Sequence, residues 1–180
     1  MLFFRFDKWH TSPLDNRQYA CDVIRELDSR SNRGVVLELG CGLGDIIGKI
    51  KYKEKYFFDI SMSALRAAKF LQIASFKRTS NFYEVFDFLI DYLDEKVRLD
   101  AIILVNWFHA YEPQVLREKL SDMIKVNLRP NGMVVFDVIE NNLNYKFNHS
   151  ISELIDKDLF DIKMSKGYKF GRKLVYATLK

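Results

Sequence analysis

Three features of the sequence predict an α/β fold with a mostly parallel sheet, helices on both faces and a C-terminal antiparallel hairpin. From Gly34 onward, short apolar runs alternate with helical patterns, the arrangement of consecutive βαβ units. A glycine cluster, Gly40, Gly42 and Gly44, follows the first apolar run directly, where a strand must turn back. Near the C-terminus, residues 159–165 and 173–179 read as two strands separated by a turn region at residues 167–171.

Taken in order, residues 17–27 carry an amphipathic pattern that predicts a helix ahead of the first strand. Val35-Val36-Leu37-Glu38-Leu39 is the first buried strand, and residues 45–50 read as a short helix weakened by Gly48. Tyr56-Phe57-Phe58-Asp59-Ile60 is the second strand. Ser61 is placed to cap a helix running through Leu65, Ala68 and Leu71. Residues 74–78 give a third strand, and residues 83–95 have helical spacing. Asp100-Ala101-Ile102-Ile103-Leu104-Val105 is an apolar run suited to a central strand covered on both faces. Pro113 opens a helix with Leu116, Leu120, Met123 and Ile124 on one face. Arg129-Pro130-Asn131-Gly132 is a turn before a buried strand at residues 133–139, and Ser150 with Glu153 has capping-box spacing.

The 180 residues, 48% hydrophobic, suffice for one sizeable core. The expected organisation is a helical lid or extension over residues 1–33 and a ligand-binding domain over residues 34–180, together one compact domain. Lys and Arg number 28 against 24 Asp and Glu, and the basic residues are spread along the chain, so the net charge of +4 does not point to nucleic acid. Cys21 and Cys41 are too few for a disulfide framework and lack partners at zinc-ligand spacing. The N-terminal residues are apolar only briefly, and no run approaches the ~20 apolar residues of a membrane span. A cytoplasmic protein is expected.

A glycine-rich turn after a buried strand lets a ligand approach the backbone and its free amides. A phosphate-binding loop would need Lys followed by Ser or Thr at the helix start, and neither is present. The dinucleotide fingerprint would need a glycine where Asp45 stands, and a carboxylate there opposes a pyrophosphate. Glu38 suits a cationic group instead. About 20 residues beyond Gly40, Asp59 is placed to accept ribose hydroxyls.

At these residues the sequence resembles the class I S-adenosylmethionine (SAM)-dependent methyltransferases. The family's first motif matches Glu38, Gly40, Gly42 and Gly44, and its second-strand acid matches Asp59. Asp100 to Val105 looks like its fourth-strand motif, and Leu128-Arg129-Pro130-Asn131-Gly132 is similar to its Leu-x-Pro-Gly-Gly turn, with Asn131 replacing the first Gly. The resemblance implies a Rossmann-like, seven-stranded sheet and SAM as cofactor. It places Glu38 near the methionine amine, with Gly40, Cys41, Gly42 and Gly44 as the loop. Asp59 would hold the ribose, Ile60 would pack on adenine, Asn81 and Phe82 would flank the adenine edge, and Asn106 would contribute backbone at the methionine end.

The loop after the fourth strand, Asn106-Trp107-Phe108-His109-Ala110-Tyr111-Glu112, is rich in aromatic and polar side chains. Methyl transfer to a hydroxyl or protonated amine needs a base, and His109 is the candidate, with a loop-structural role as the alternative. Trp107 and Tyr111 are candidates for an acceptor pocket, or for core. His10 and His149 fall in segments expected near the same face, although a surface position is the simpler reading for both. Arg17, in the leading segment, is placed to reach a carboxylate of cofactor or acceptor. No metal site is expected. The leading functional reading is transfer of a methyl group to O or N of a small or medium-sized metabolite, such as a sugar or glycan precursor. The alternatives are an RNA methyltransferase and a non-catalytic SAM-binding subunit. A homodimer is one way for so short a chain to complete an acceptor pocket.

Overall fold

The structure, a computed structural model, describes residues 13–74, 81–84, 93–139 and 145–180. The chain divides into two compact units, Met1–Asp91 and Tyr92–Lys180. The fold is α/β with mixed β-structure.

In the first unit a 3-10 turn, Leu14–Asn16, leads into α1 (Gln18–Asp28). Ala20, Val23 and Leu27 are its buried residues, spaced so that one stripe faces the core, in agreement with the expected amphipathic helix. β1 (Val35–Leu39) is buried from Val36 onward, as its unbroken apolar character anticipates. β2 (Glu54–Phe58) pairs with it in parallel, Leu39 opposite Phe58. The second strand thus begins and ends two residues earlier than expected, and Asp59 and Ile60 lie just past its carboxyl end. Ser61 caps α2 (Met62–Ala74) as expected, its Oγ accepting the Ala64 amide at 3.3 Å. Leu65 and Ala68 are buried in that helix, whereas Leu71 is exposed.

At residues 74–78, where the third strand is expected, only Ala74 is described. Ala74 ends α2, residues 75–78 lie outside the described residues, and β3 is Asn81–Glu84, parallel to β2. The ladder of this unit runs β3-β2-β1. A helix over residues 83–95 is likewise corrected at both ends: residues 83–84 belong to β3, residues 93–95 are not helical, and residues 85–92 lie outside the described residues. At the latter end the Asp94 side chain accepts the Lys96 amide, the local bond by which aspartate favours turns over helix.

In the second unit β4 (Leu99–Leu104) is buried throughout, within one residue of its expected limits. A 3-10 turn, Phe108–Ala110, precedes α3 (Pro113–Asn127), in which Pro113 is the first helical residue and Leu116, Leu120 and Ile124 are buried. β5 (Leu128–Ile139) pairs in parallel with β4, and the expected turn at residues 129–132 is an irregularity inside it: Leu99 faces Leu128, but Ala101 faces Met133. Asn131 sits at φ 61°, a conformation asparagine tolerates. A Cβ on Gly132 would lie 2.7 Å from the Arg129 carbonyl oxygen, so only glycine fits there. Ser150 and Glu153 form the expected capping box at the start of α4 (Ile151–Leu154). β6 (Phe160–Met164) and β7 (Arg172–Leu179) form the expected antiparallel pair, and β7 also pairs antiparallel with β5, giving the order β4-β5-β7-β6.

Candidate functional site

The first candidate region lies at the carboxyl ends of β1 and β2. Gly40, Gly42 and Gly44 take φ of 74°, 54° and 77°, left-handed values that glycine adopts without steric cost. The Gly40 and Cys41 amides both donate to the Phe58 carbonyl, at 2.8 and 2.9 Å. The Asp59 carboxylate takes the next amide: Oδ2 accepts Gly42 N–H and Oδ1 accepts Ser61 N–H, both at 2.8 Å. Asp59 therefore holds the turn and the start of α2 with one bond per oxygen. Each carboxylate oxygen accepts two hydrogen bonds, so capacity for ribose hydroxyls remains. Ile60 beside it is 75% exposed, an apolar side chain presented to solvent next to the loop.

Glu38 is buried, and its Oε2 accepts the Ile47 amide at 2.9 Å. That bond explains why residues 45–50 form turns rather than the expected helix. The Ile47 amide is given to a side chain instead of to a carbonyl four residues back, and only isolated helical bonds, such as Gly48 N–H to the Gly44 carbonyl, survive. Burial pushes the Glu38 carboxyl up to about 8, against the Ile47 hydrogen bond that lowers it, while Asp45 and Asp59 raise it further. A buried carboxyl so perturbed is stabilised as an anion by a cationic partner. Burial also raises the Cys41 thiol, which disfavours its thiolate form; its Sγ lies 3.6 Å from the Gly42 carbonyl. Arg17 pairs with a carboxylate of the protein itself, that of Asp45, the residue that stands where a dinucleotide site would have glycine.

Asn81 and Phe82 do not belong to this region. In the parallel register they face Glu54 and Lys55, at the amino end of β2, whereas Asp59 follows its carboxyl end. Ligands of open α/β sheets bind at carboxyl ends, the opposite end of β2 from these two residues. His10 lies outside the described residues.

The second candidate region follows β4. Asn106 takes φ 60°, a left-handed conformation uncommon for a non-glycine residue. Its amide donates to Asp137 Oδ1 at 2.7 Å, and its side-chain oxygen accepts Arg172 Nη2 at 2.7 Å and the Tyr145 hydroxyl at 3.0 Å. His109 is buried, with Nε2 3.4 Å from Asp137 Oδ2, and the same oxygen lies 3.4 Å from Arg172 Nη1. Its other ring nitrogen, Nδ1, is buried without a hydrogen-bond partner among the described residues. His149, for which a surface position was the simpler expectation, is 4% exposed, its ring 6.2 Å from that of His109 and 5.0 Å from Phe108. The His149 ring is buried because aromatic side chains, Phe108 and Phe147 among them, close over it. Burial lowers the His149 pKa, and the neighbouring His109 lowers it further. Trp107 and Tyr111 are half-buried, with their rings tilted at 45° and their centroids 4.6 Å apart.

Asp137, Tyr145 and Arg172 were not foreseen as site residues. One signal was available for Asp137, the lone charge within the apolar run Met133-Val134-Val135-Phe136-Asp137-Val138-Ile139. Among the described residues no helix is long and apolar enough to cross a membrane.

No protein-family model matches the sequence, and no curated protein does. Solved structures do match the fold. The N-methyltransferase NodS from Bradyrhizobium japonicum, in complex with S-adenosylhomocysteine (SAH), superposes with a TM-score of 0.75 at 16% identity, covering 96% of this chain and 91% of that one. SAM-bound CalS10, an amino pentose methyltransferase from Micromonospora echinaspora, gives 0.69 at 12% identity, with 98% of both chains covered. The methyltransferase domain of bacterial CtHen1 gives 0.69 at 18% identity, covering 91% of this chain and 98% of that one. The chain thus has the class I methyltransferase fold.

Proposed function

We propose that this protein is a SAM-dependent methyltransferase acting on O or N of a small or medium-sized metabolite. The observation that carries the reading is the loop at residues 40–44: three left-handed glycines, one amide clamped by Asp59, and an exposed Ile60 beside them. That combination offers a close backbone approach, a carboxylate for ribose hydroxyls and an apolar surface for a purine ring. Glu38 adds a buried carboxyl whose anion a cationic ligand favours. These features fit SAM, whose amine and sulfonium are both cationic. The reading carries with it the continuous seven-stranded sheet of the family and a lid formed by the segment ahead of β1, which Arg17 ties to Asp45 of the loop.

Bound SAM supplies an electrophilic methyl group on a sulfonium sulfur. Most of the protein's contribution is then positioning and exclusion of water. In this reading His109 Nδ1, a buried nitrogen with no partner among the described residues, takes the proton from the acceptor hydroxyl or ammonium. Asn106 supplies backbone at the methionine end, and Trp107 and Tyr111 give the acceptor an aromatic wall. CalS10 acts on an amino pentose, which favours a sugar-like acceptor here.

The test is transfer of a radiolabelled methyl group from SAM to a fractionated cell extract. Label is expected in small molecules. Label confined to RNA would replace this reading with an RNA methyltransferase, and no label in any fraction, despite SAM binding, would leave a SAM-binding subunit.

A further inference from the structure

We propose that Asp137 and Arg172 form a positioning pair that sets the tautomer of His109; the inference deepens the proposed role of His109 and rests on it. Asp137 lies in β5 with no exposed surface, and β5 is flanked by β4 and β7. Its two oxygens divide their work. Oδ1 accepts the Asn106 amide at 2.7 Å, and Oδ2 faces both His109 Nε2 and Arg172 Nη1 at 3.4 Å. An ionised carboxylate only accepts, so the facing imidazole nitrogen must carry the proton. His109 therefore holds its proton on Nε2 and its lone pair on Nδ1, the atom left without a partner.

Arg172, at the start of β7, shares the Asp137 carboxylate with His109 and also fixes the loop that carries His109. Its Nη2 donates to Asn106 Oδ1 at 2.7 Å and contacts the Tyr145 hydroxyl at 3.2 Å. Those bonds hold Asn106 at φ 60°, three residues before His109. Among the described residues the titratable and charged groups facing His109 are the Asp137 carboxylate, Tyr145 with its ring at 4.3 Å and His149 with its ring at 6.2 Å, with the Arg172 guanidinium behind Asp137 and Glu153 acting on His149.

The test is 15N NMR of the His109 ring in the full chain, as wild type, Asp137→Asn, Arg172→Met and Arg172→Lys, with SAH calorimetry on the same samples. Wild type is expected to protonate Nε2. In D137N the amide oxygen keeps the Asn106 bond and the NH2 group turns to Nε2, moving the ring proton to Nδ1. Arg172→Met is expected to raise the His109 titration midpoint, because Asp137 is no longer shared, and Arg172→Lys to restore it. A wild-type ring protonated on Nδ1, or the same tautomer in wild type and D137N, overturns the proposal. If D137N does not fold, the arginine variants decide: midpoints equal to wild type in both overturn it. Should wild type bind no SAH while the tautomer pattern holds, the methyltransferase reading fails and the positioning pair stands.

Discussion

The Asp59 carboxylate accepts the Gly42 amide at 2.8 Å, joining the end of β2 to the turn that leaves β1. The same carboxylate accepts the Ser61 amide, so the side chain expected to hold a ribose also organises the loop around it. Asp59→Ala removes both acceptors. Hydrogen bonds to charged groups contribute roughly 1.5–3 kcal/mol each, and water reaches part of this region, so a loss of about 2 kcal/mol in urea denaturation is expected. A variant as stable as wild type would show that the carboxylate does not organise the loop.

Gly132→Ala should cost about 1–3 kcal/mol, the range for forcing atoms into packed space. The added methyl would stand 2.7 Å from the Arg129 carbonyl and from Leu128 Cδ1, and the carbonyl, being backbone, cannot swing aside cheaply. Thermal melting of the two proteins side by side checks this, and equal midpoints would contradict the packing described for residues 128–132.

Glu38 predicts a pH dependence of stability. Its folded pKa is raised to about 8 from an unfolded value of 4.5, so between those pH values the folded state binds the extra proton. Stability of the ligand-free protein therefore falls as pH rises through that window, in proportion to the excess protons bound. Glu38→Gln keeps an acceptor for the Ile47 amide and removes the ionisation. Its melting temperature should decline less than that of wild type between pH 5 and pH 8, with the two profiles converging at the acid end; parallel profiles would contradict the assignment.

His149 has the opposite sign. Its folded pKa lies below the unfolded value, so the unfolded chain binds more protons and stability is lost as pH falls through the normal histidine range. Its ring nitrogens make no hydrogen bond of full geometry among the described residues, and the Phe108 and Tyr111 backbone groups near them only partly offset the effect of burial. Phenylalanine removes both unsatisfied nitrogens while keeping an aromatic ring against Phe108. His149→Phe is therefore expected to melt at or above the wild-type temperature at pH 7, and further above it at pH 5.5. A variant several degrees less stable at both pH values would mean that the imidazole nitrogens are satisfied.

Much of this was legible in the sequence where one local signal decided the outcome. The apolar runs gave β1 and β4, Pro113 gave the start of α3, Ser150 with Glu153 gave a capping box, and alternating glycines gave the loop. Misreadings arose where a distant partner decides. The helix at residues 45–50 is lost to a bond from Glu38, seven residues before its start, and the register of β3 is set by pairing with β2, which no local pattern around Asn81 encodes. The network around His109 draws Asn106, Asp137, Tyr145 and Arg172 from four separate stretches of chain. Periodicity alone has no means of bringing those together.

Isothermal calorimetry with SAH, on wild type and Asp59→Ala at pH 7, tests the central claim most directly. The account predicts one-to-one binding by wild type and an affinity at least about tenfold weaker in the variant, the loss of roughly one charged hydrogen bond. Absence of SAH and SAM binding by well-folded wild-type protein would contradict it.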